Sequence, residues 1–174
     1  DFAYAKVMNR SIKLLATGKE IDGKYVAMVA PFMIPTSHPL YCVNDVFNAV
    51  YVTGNMLGDS MYYGRGAGKL PTASAVVSDI VDCARHVGKT IMCLWDEEKI
   101  ELESTDEIMQ IFFVRVDKEK QSKEDVEKLF GNVSFVNMPE YEDEIAFVTE
   151  AMKEKDFKVA AEKCEGLLSR IRVM

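Results

Sequence analysis

The last third of the chain switches between strand and helix spacing in one fixed order, and that order limits the folds open to it. "MQIFFVRVD" (109–117) is an apolar, β-branched and aromatic run of strand length. "SKEDVEKLF" (122–130) has helical spacing, with Ser122 as the cap and Glu124 and Asp125 in the first turn. "NVSFVNMPEY" (132–141) and "DEIAFVTE" (143–150) read as strands, the first broken near Pro139. "KDFKVAAEKCEGLL" (155–168) reads as a helix and "SRIRVM" (169–174) as a closing strand. The order β-α-β-β-α-β predicts a ferredoxin-like, split-βαβ domain, an antiparallel sheet with two helices on one face.

The first half reads differently. "FAYAKVMN" (2–9) is the end of a helix. "SIKLLATGKEI" (11–21) and "KYVAMVAPFMIP" (24–35) are strands joined by "IDGK", where Gly23 supplies a positive φ. "DVFNAVYVTG" (45–54) and "SMYYG" are two further strands. "TASAVVSDIVDCARHVG" (72–88) is an amphipathic helix with Val76, Val77, Ile80, Val81 and Ala84 on one side and Gly88 as its stop. "TIMCLW" reads as a strand, and the acidic "DEEKIELESTDE" after it as a linker.

Charge divides the chain in the same place. Residues 1–90 hold nine Lys and Arg against seven Asp and Glu, the remainder twelve against twenty-one, for a net charge of −7. The acidic half disfavours a nucleic-acid partner, because phosphate binding needs a basic surface, so none is expected. No apolar run reaches the ~20 residues of a membrane-spanning helix, and no signal peptide is legible, so no membrane partner is expected. The four cysteines have no C-x-x-C spacing and only two histidines exist, so no metal site is expected and a reduced, cytoplasmic setting is. The chain opens on Asp1 already in helical register, which reads as a fragment of a longer protein.

Three glycines in five positions, Gly64, Gly66 and Gly68, stand between a strand and a helix, with Lys69 next. This is the layout of a phosphate-cradling loop, since glycine permits close backbone approach and a helix N-terminus favours negative charge. The nucleotide-triphosphate loop G-x-x-x-x-G-K-[ST] fails, because Tyr63 stands at its first glycine and Leu70 at its hydroxyl. The dinucleotide fingerprint G-x-G-x-x-G fails at Lys69. A tight strand-to-helix turn without a ligand remains open on spacing alone.

The segments "AYAKVMNRSIKLLA" and "HPLYCVNDVFNAVYVTGNMLGDSMYYGRGAGKLPTASAVVSDIVD" resemble homoserine dehydrogenase. The signature G-x-G-A-G-x-x-P-T-A-S-A-V-x-x-D is matched by Gly64, Gly66, Ala67, Gly68, Pro71, Thr72, Ala73 and Asp79. The resemblance covers residues 1 to about 86. It implies an α+β fold: residues 1–88 as the C-terminal, sheet-rich part of the catalytic (substrate and dimerisation) domain, 89–108 as a linker, and 109–174 as an ACT-like regulatory domain.

The resemblance further implies an oxidoreductase that uses NADP or NAD to reduce L-aspartate 4-semialdehyde to L-homoserine, in threonine, methionine and isoleucine biosynthesis. The parent would bind a small-molecule substrate and form a homodimer or higher homo-oligomer. By position, Gly68 is the foremost cofactor contact, with Gly66, Ala67 and Thr72 beside it; a helix-capping role for Thr72 is the alternative. The family's Rossmann domain, catalytic lysine and substrate-binding acids precede this segment, so no catalytic residue is assigned. Lys6 and Lys13 read as solvated, and the chain alone is expected to be inactive. ACT domains carry a glycine-containing turn after their first strand. Here the turn "DKEKQSKED" has none, which implies a degenerate domain, with Asp117 and Ser122 the residues nearest an amino-acid effector. The other reading is a non-enzymatic ACT-type amino-acid-binding module.

Overall fold

The computed structural model describes residues 1–95, 97 and 99–174. The elements run α1 (Phe2–Val7), β1 (Arg10–Ile21), β2 (Lys24–Pro35), β3 (Phe47–Gly54), β4 (Gly58–Arg65), α2 (Lys69–Arg85), β5 (Met109–Asp117), α3 (Lys123–Phe130), β6 (Val133–Val136), β7 (Glu144–Thr149), β8 (Met152–Lys153), α4 (Glu154–Lys163) and β9 (Leu167–Val173). The fold is mixed, sheet with helix.

Two compact units divide the chain differently from the expected boundaries at 88 and 108. The first is Asp1–Thr36 with Ile100–Met174, the second Ser37–Lys99. The first 36 residues thus fold with the C-terminal part. The reason is strand pairing: β2 lies parallel to β9, with Phe32 opposite Arg172 and Met33 opposite Val173.

The sheet of the first unit has the order β1-β2-β9-β5-β7-β6, with β8 paired to β5. Every pairing within β9-β5-β7-β6 is antiparallel. β1 and β2 form a long hairpin closed at Asp22 (φ 53) and Gly23 (φ 77), the two positive values that a tight hairpin matching strand twist requires.

Both faces of this sheet are covered, which the period-2 alternation makes possible. Phe112, Val114 and Val116 of β5 face α3 and α4, where they meet Val126, Phe130, Phe157 and Ala160. The residue between, Phe113, points the other way with Ala146, Ile171 and Val173, and meets Tyr4 and Ala5 of α1. Two helices were expected on one face; α1 on the opposite face was not, because nothing local to residues 2–9 names the sheet they cover. The Phe112 and Phe157 rings stack at 3.8 Å.

Local signals set most ends. Ser122 caps α3, its Oγ accepting the Asp125 N–H at 3.1 Å. β6 is shorter than the expected 132–141, stopping at Val136 before a turn in which the Tyr141 N–H donates to the Met138 carbonyl. α4 ends at Lys163, not 168, because Gly166 adopts φ 74 and Leu167 already joins β9. The expected strand at "TIMCLW" does not form, and Trp95 is 88% exposed: among the described residues no neighbouring strand takes up its backbone groups. Asp96 and Glu98, within the expected 89–108 linker, lie outside the described residues.

The end of that linker is tied down. The Glu103 N–H donates to the Tyr25 carbonyl, and Leu102 forms a bridge with Tyr25. Lys153 and Lys155 reach Glu107 at 2.8 and 2.5 Å, and Lys158 reaches Asp106 at 2.6 Å. Lys153 and Lys155 hold the Glu107 carboxyl down at about 2, and Lys158 holds the Asp106 carboxyl below its ordinary value. No helix among the described residues is long and apolar enough to cross a membrane.

Candidate functional site

The glycine loop lies in the second unit, between β4 and α2. β3 and β4 pair antiparallel from Phe47 opposite Arg65 to Gly54 opposite Gly58. Phe47 stacks on Tyr63 at 4.8 Å, and the Arg65 guanidinium lies 5.2 Å from the Phe47 ring. That stack fixes the end of β4 from which the loop departs. The His38 Nδ1 accepts the Leu40 N–H at 3.1 Å, capping the 3₁₀ turn Pro39–Cys42, so His38 structures its loop.

Two of the three glycines have a physical requirement, and the requirements differ. A Cβ on Gly66 would fall 2.2 Å from Asn48 Nδ2, so a β3 side chain occupies that space. Gly68 has φ 120, a value L-residues rarely adopt, and is the N-cap of α2. Gly64 meets nothing within 4 Å. Sequence spacing finds the glycines but not Asn48, which pairing alone brings beside the loop.

α2 begins at Lys69, three residues before the expected start. The Thr72 N–H donates to the Gly68 carbonyl at 3.0 Å, the first bond of the helix. Thr72 is therefore inside the first turn and does not cap it; Gly68 holds that position. The first-turn amides of Lys69 and Leu70 have no intrahelical acceptor, and Pro71 contributes no N–H. The arrangement is a backbone-walled approach to a helix N-terminus, suited to an anionic or amide-bearing ligand. Gly66, Ala67, Gly68 and Thr72 are thus contiguous at one loop and helix start. No residue of α2 is buried, and its Val76, Val77, Ile80 and Val81 are exposed.

The turn after β5 is occupied by its own contacts. Asp117 Oδ1 accepts the Glu119 N–H at 2.9 Å. Ser122 Oγ accepts the Asp125 N–H and donates to Asp125 Oδ2 at 2.7 Å. That hydrogen bond, with Lys128 second, holds the Asp125 carboxyl below its ordinary range. The glycine missing from the turn has a counterpart across it: a Cβ on Gly166 would come within 3.0 Å of Asp117 Cβ and Lys120 Cβ.

Sequence reasoning missed the charged group under α1. Arg115 donates through Nε to Asp1 Oδ1 at 2.8 Å and through one NH group to both Glu144 oxygens at 2.9 and 2.8 Å. Ser169 donates to Asp1 Oδ2 at 2.9 Å. Burial, then the Glu144 charge, push the Tyr4 hydroxyl above its ordinary value. A lone Arg in a strand gives no signal of this; it emerges from partners 29 and 114 residues away.

Fold and loop together define a class: a mixed sheet-and-helix segment that offers a glycine-lined loop at a helix N-terminus. Residues 1–81 match the family model of homoserine dehydrogenase.

Homoserine dehydrogenase from Bacillus subtilis is 39% identical over 87 residues, covering 50% of this chain and 20% of that protein. The enzyme from Helicobacter pylori is 37% identical over 116 residues, covering 67% of this chain and 28% of that protein. Among solved structures, S. aureus homoserine dehydrogenase superposes with a TM-score of 0.71 at 29% identity, and that from Thiobacillus denitrificans with 0.78 at 26%. Each superposition covers 100% of this chain and 44% of the other. The chain spans between a fifth and under a third of the length of these two relatives.

Proposed function

We propose that this chain is part of a homoserine dehydrogenase, the oxidoreductase that reduces L-aspartate 4-semialdehyde to L-homoserine with NADPH or NADH. The observation that carries the reading is the family match over residues 1–81, which ends inside α2 and contains the whole glycine loop. In this reading residues 1–88 are the C-terminal part of the catalytic domain. The nicotinamide cofactor supplies the hydride. The loop's part is positional: the Gly66–Ala67–Gly68 backbone and the first turn of α2 at Thr72 form a wall that a side chain would obstruct.

Gly68 is the leading contact by its position in the matched signature; its φ of 120 is, in addition, a structural reason for glycine there. Gly66 has a structural reason of its own in Asn48, so its presence alone carries less about the cofactor. The exposed apolar side of α2 supports a role in a larger enzyme, since a helix buries such a stripe against a partner. A cytoplasmic homo-oligomer is part of the same reading.

Residues 109–174 are proposed as an ACT-like regulatory domain. The order β9-β5-β7-β6, antiparallel throughout with α3 and α4 on one face, supports this. Asp117 and Ser122 are both engaged within their own turn, which supports a domain degenerate at the usual effector position.

The test is kinetic. The 174-residue chain alone shows no NADPH-dependent reduction of aspartate semialdehyde, whereas the longer protein that contains it does so and loses the activity on Gly68→Val. Turnover by the chain alone at an ordinary enzyme rate, or full activity in the Gly68→Val protein, overturns the reading.

A further inference from the structure

Asn48 of β3 borders the glycine loop from the side opposite the Phe47–Tyr63 stack. It stands across the ladder from Gly64, next to the Phe47–Arg65 pair at which β3 and β4 part from the loop. Successive residues of a strand face opposite ways, so Asn48 and Gly64 share the face that the stack leaves uncovered.

The surface beside Asn48 is bare backbone. Gly64 lies directly across from it, and Gly66 follows two residues on, where a side chain would run into the Asn48 amide. The two glycines serve different ends. Gly66 gives room to Asn48. Gly64 gives room to nothing in this chain: its φ is not in the left-handed region, and a Cβ there would meet no atom within 4 Å. A glycine inside a strand with no internal need for it marks a place where another molecule can approach the backbone closely. Val50 and Tyr62, the next pair on the same face, are 62% and 69% exposed and edge this strip with apolar surface.

The Asn48 carboxamide is available to a ligand. Nδ2 is the amide atom nearest Gly66, and Oδ1 lies farther off. Among the described residues the side chain has no hydrogen-bond partner, whereas Thr53, farther along the same strand, donates to Asp59 at 2.9 Å. An acceptor oxygen beside a side-chain-free strip with an aromatic edge suits a flat ring that carries an amide N–H donor.

We propose that Asn48 is a specificity-determining residue of the cofactor site: its Oδ1 accepts an N–H of the nicotinamide carboxamide, and Gly64 leaves room for the ring. Asn48 thereby selects a carboxamide-bearing ring over one without that N–H. The proposal rests on the reading of the glycine loop as the cofactor wall.

The experiment is calorimetric titration of the longer protein, without substrate, with NADP+ and NAD+, each against its 3-acetylpyridine analogue, in which a methyl group replaces the carboxamide nitrogen. The natural dinucleotide should bind about tenfold more tightly than its analogue, as one lost hydrogen bond implies. In Asn48→Leu, which keeps the bulk of the side chain, that preference should fall to about twofold or less. Asn48→Asp keeps the acceptor and should keep the preference. A role confined to packing the loop would lower both affinities together and leave their ratio unchanged, so the ratio separates recognition from structure. If Asn48→Leu does not fold, Asn48→Ala must show the same loss of preference. Equal affinities of the parent protein for dinucleotide and analogue, or an unchanged preference in the Leu or Ala variant, overturn this proposal and leave the dehydrogenase reading standing. No binding of either natural dinucleotide by the longer parent protein overturns both.

Discussion

Glu154 and Arg172 form a bidentate ion pair at 2.6 and 3.1 Å, and Glu154 is 1% exposed. The pair joins the first residue of α4 to β9, and the Arg172 guanidinium lies 6.0 Å from the Phe112 ring. Arg172 is also the residue opposite Phe32 where β2 meets β9. One buried contact thus stands where the N-terminal hairpin, the central sheet and α4 converge.

Removing one partner should cost more than removing both. Glu154→Ala leaves a largely buried guanidinium without its carboxylate and should destabilise the fold by about 3–5 kcal/mol. A Glu154→Met/Arg172→Met double variant should be closer to the parent than Glu154→Ala is, because no unpaired charge stays buried. Chemical denaturation of the three proteins checks this, and a double variant less stable than Glu154→Ala contradicts it.

Gly66 and Asn48 should be energetically coupled. Gly66→Ala places a Cβ 2.2 Å from Asn48 Nδ2 and 2.8 Å from its Cγ, so the amide must swing away. In the Asn48→Ala background the same substitution should cost less, with a coupling of about 0.5–3 kcal/mol. Gly68→Ala should not be rescued by Asn48→Ala, because its strain lies in the backbone at φ 120. Double-mutant cycles on thermal or denaturant stability separate the two cases; additive costs at Gly66 and Asn48 would remove the steric account.

Acid should loosen the strap at 100–108 through Glu107. Its carboxyl is depressed from 4.5 to about 2 by the hydrogen bonds from Lys153 and Lys155. A depressed carboxyl stabilises the folded state above its unfolded value, and that contribution fades as pH falls from about 4.5 toward 2. Glu107→Gln should therefore show a shallower loss of stability over that window than the parent. High salt should shrink the difference, since these partners are solvent-exposed. Identical acid-unfolding profiles for the two proteins would rule the strap out as an ionic one.

How much of this was legible depends on sequence distance. The positive φ at Gly23 and the cap at Ser122 are decided by a few adjacent residues, and both are where the sequence puts them. Apart from the two-residue β8 (Met152–Lys153), which the sequence reading did not include, the element order of residues 109–174 is the one its periodicity predicts. "TIMCLW" shows the limit of that signal: an apolar run of strand length becomes a strand only when a neighbour takes its backbone hydrogen bonds, and among the described residues none does. In the loop, glycine spacing was readable at Gly64, Gly66 and Gly68, but the reason for Gly66 lies on another strand at Asn48.

The sequence by itself determined most of the local conformations: the extended and helical stretches other than "TIMCLW", the turn at Asp22–Gly23 and the cap of α3 at Ser122. Only the tertiary structure decided that β2 joins β9, that α1 covers the second face of the sheet, that Arg115 collects Asp1 and Glu144, and that Asn48 stands beside Gly66. Local geometry depends on sterics and hydrogen bonds among near neighbours, which the order of residues states directly. The rest depends on burial and pairing between residues that become neighbours only when the whole sheet closes, and their favourable energy exists only after the chain entropy separating them has been overcome.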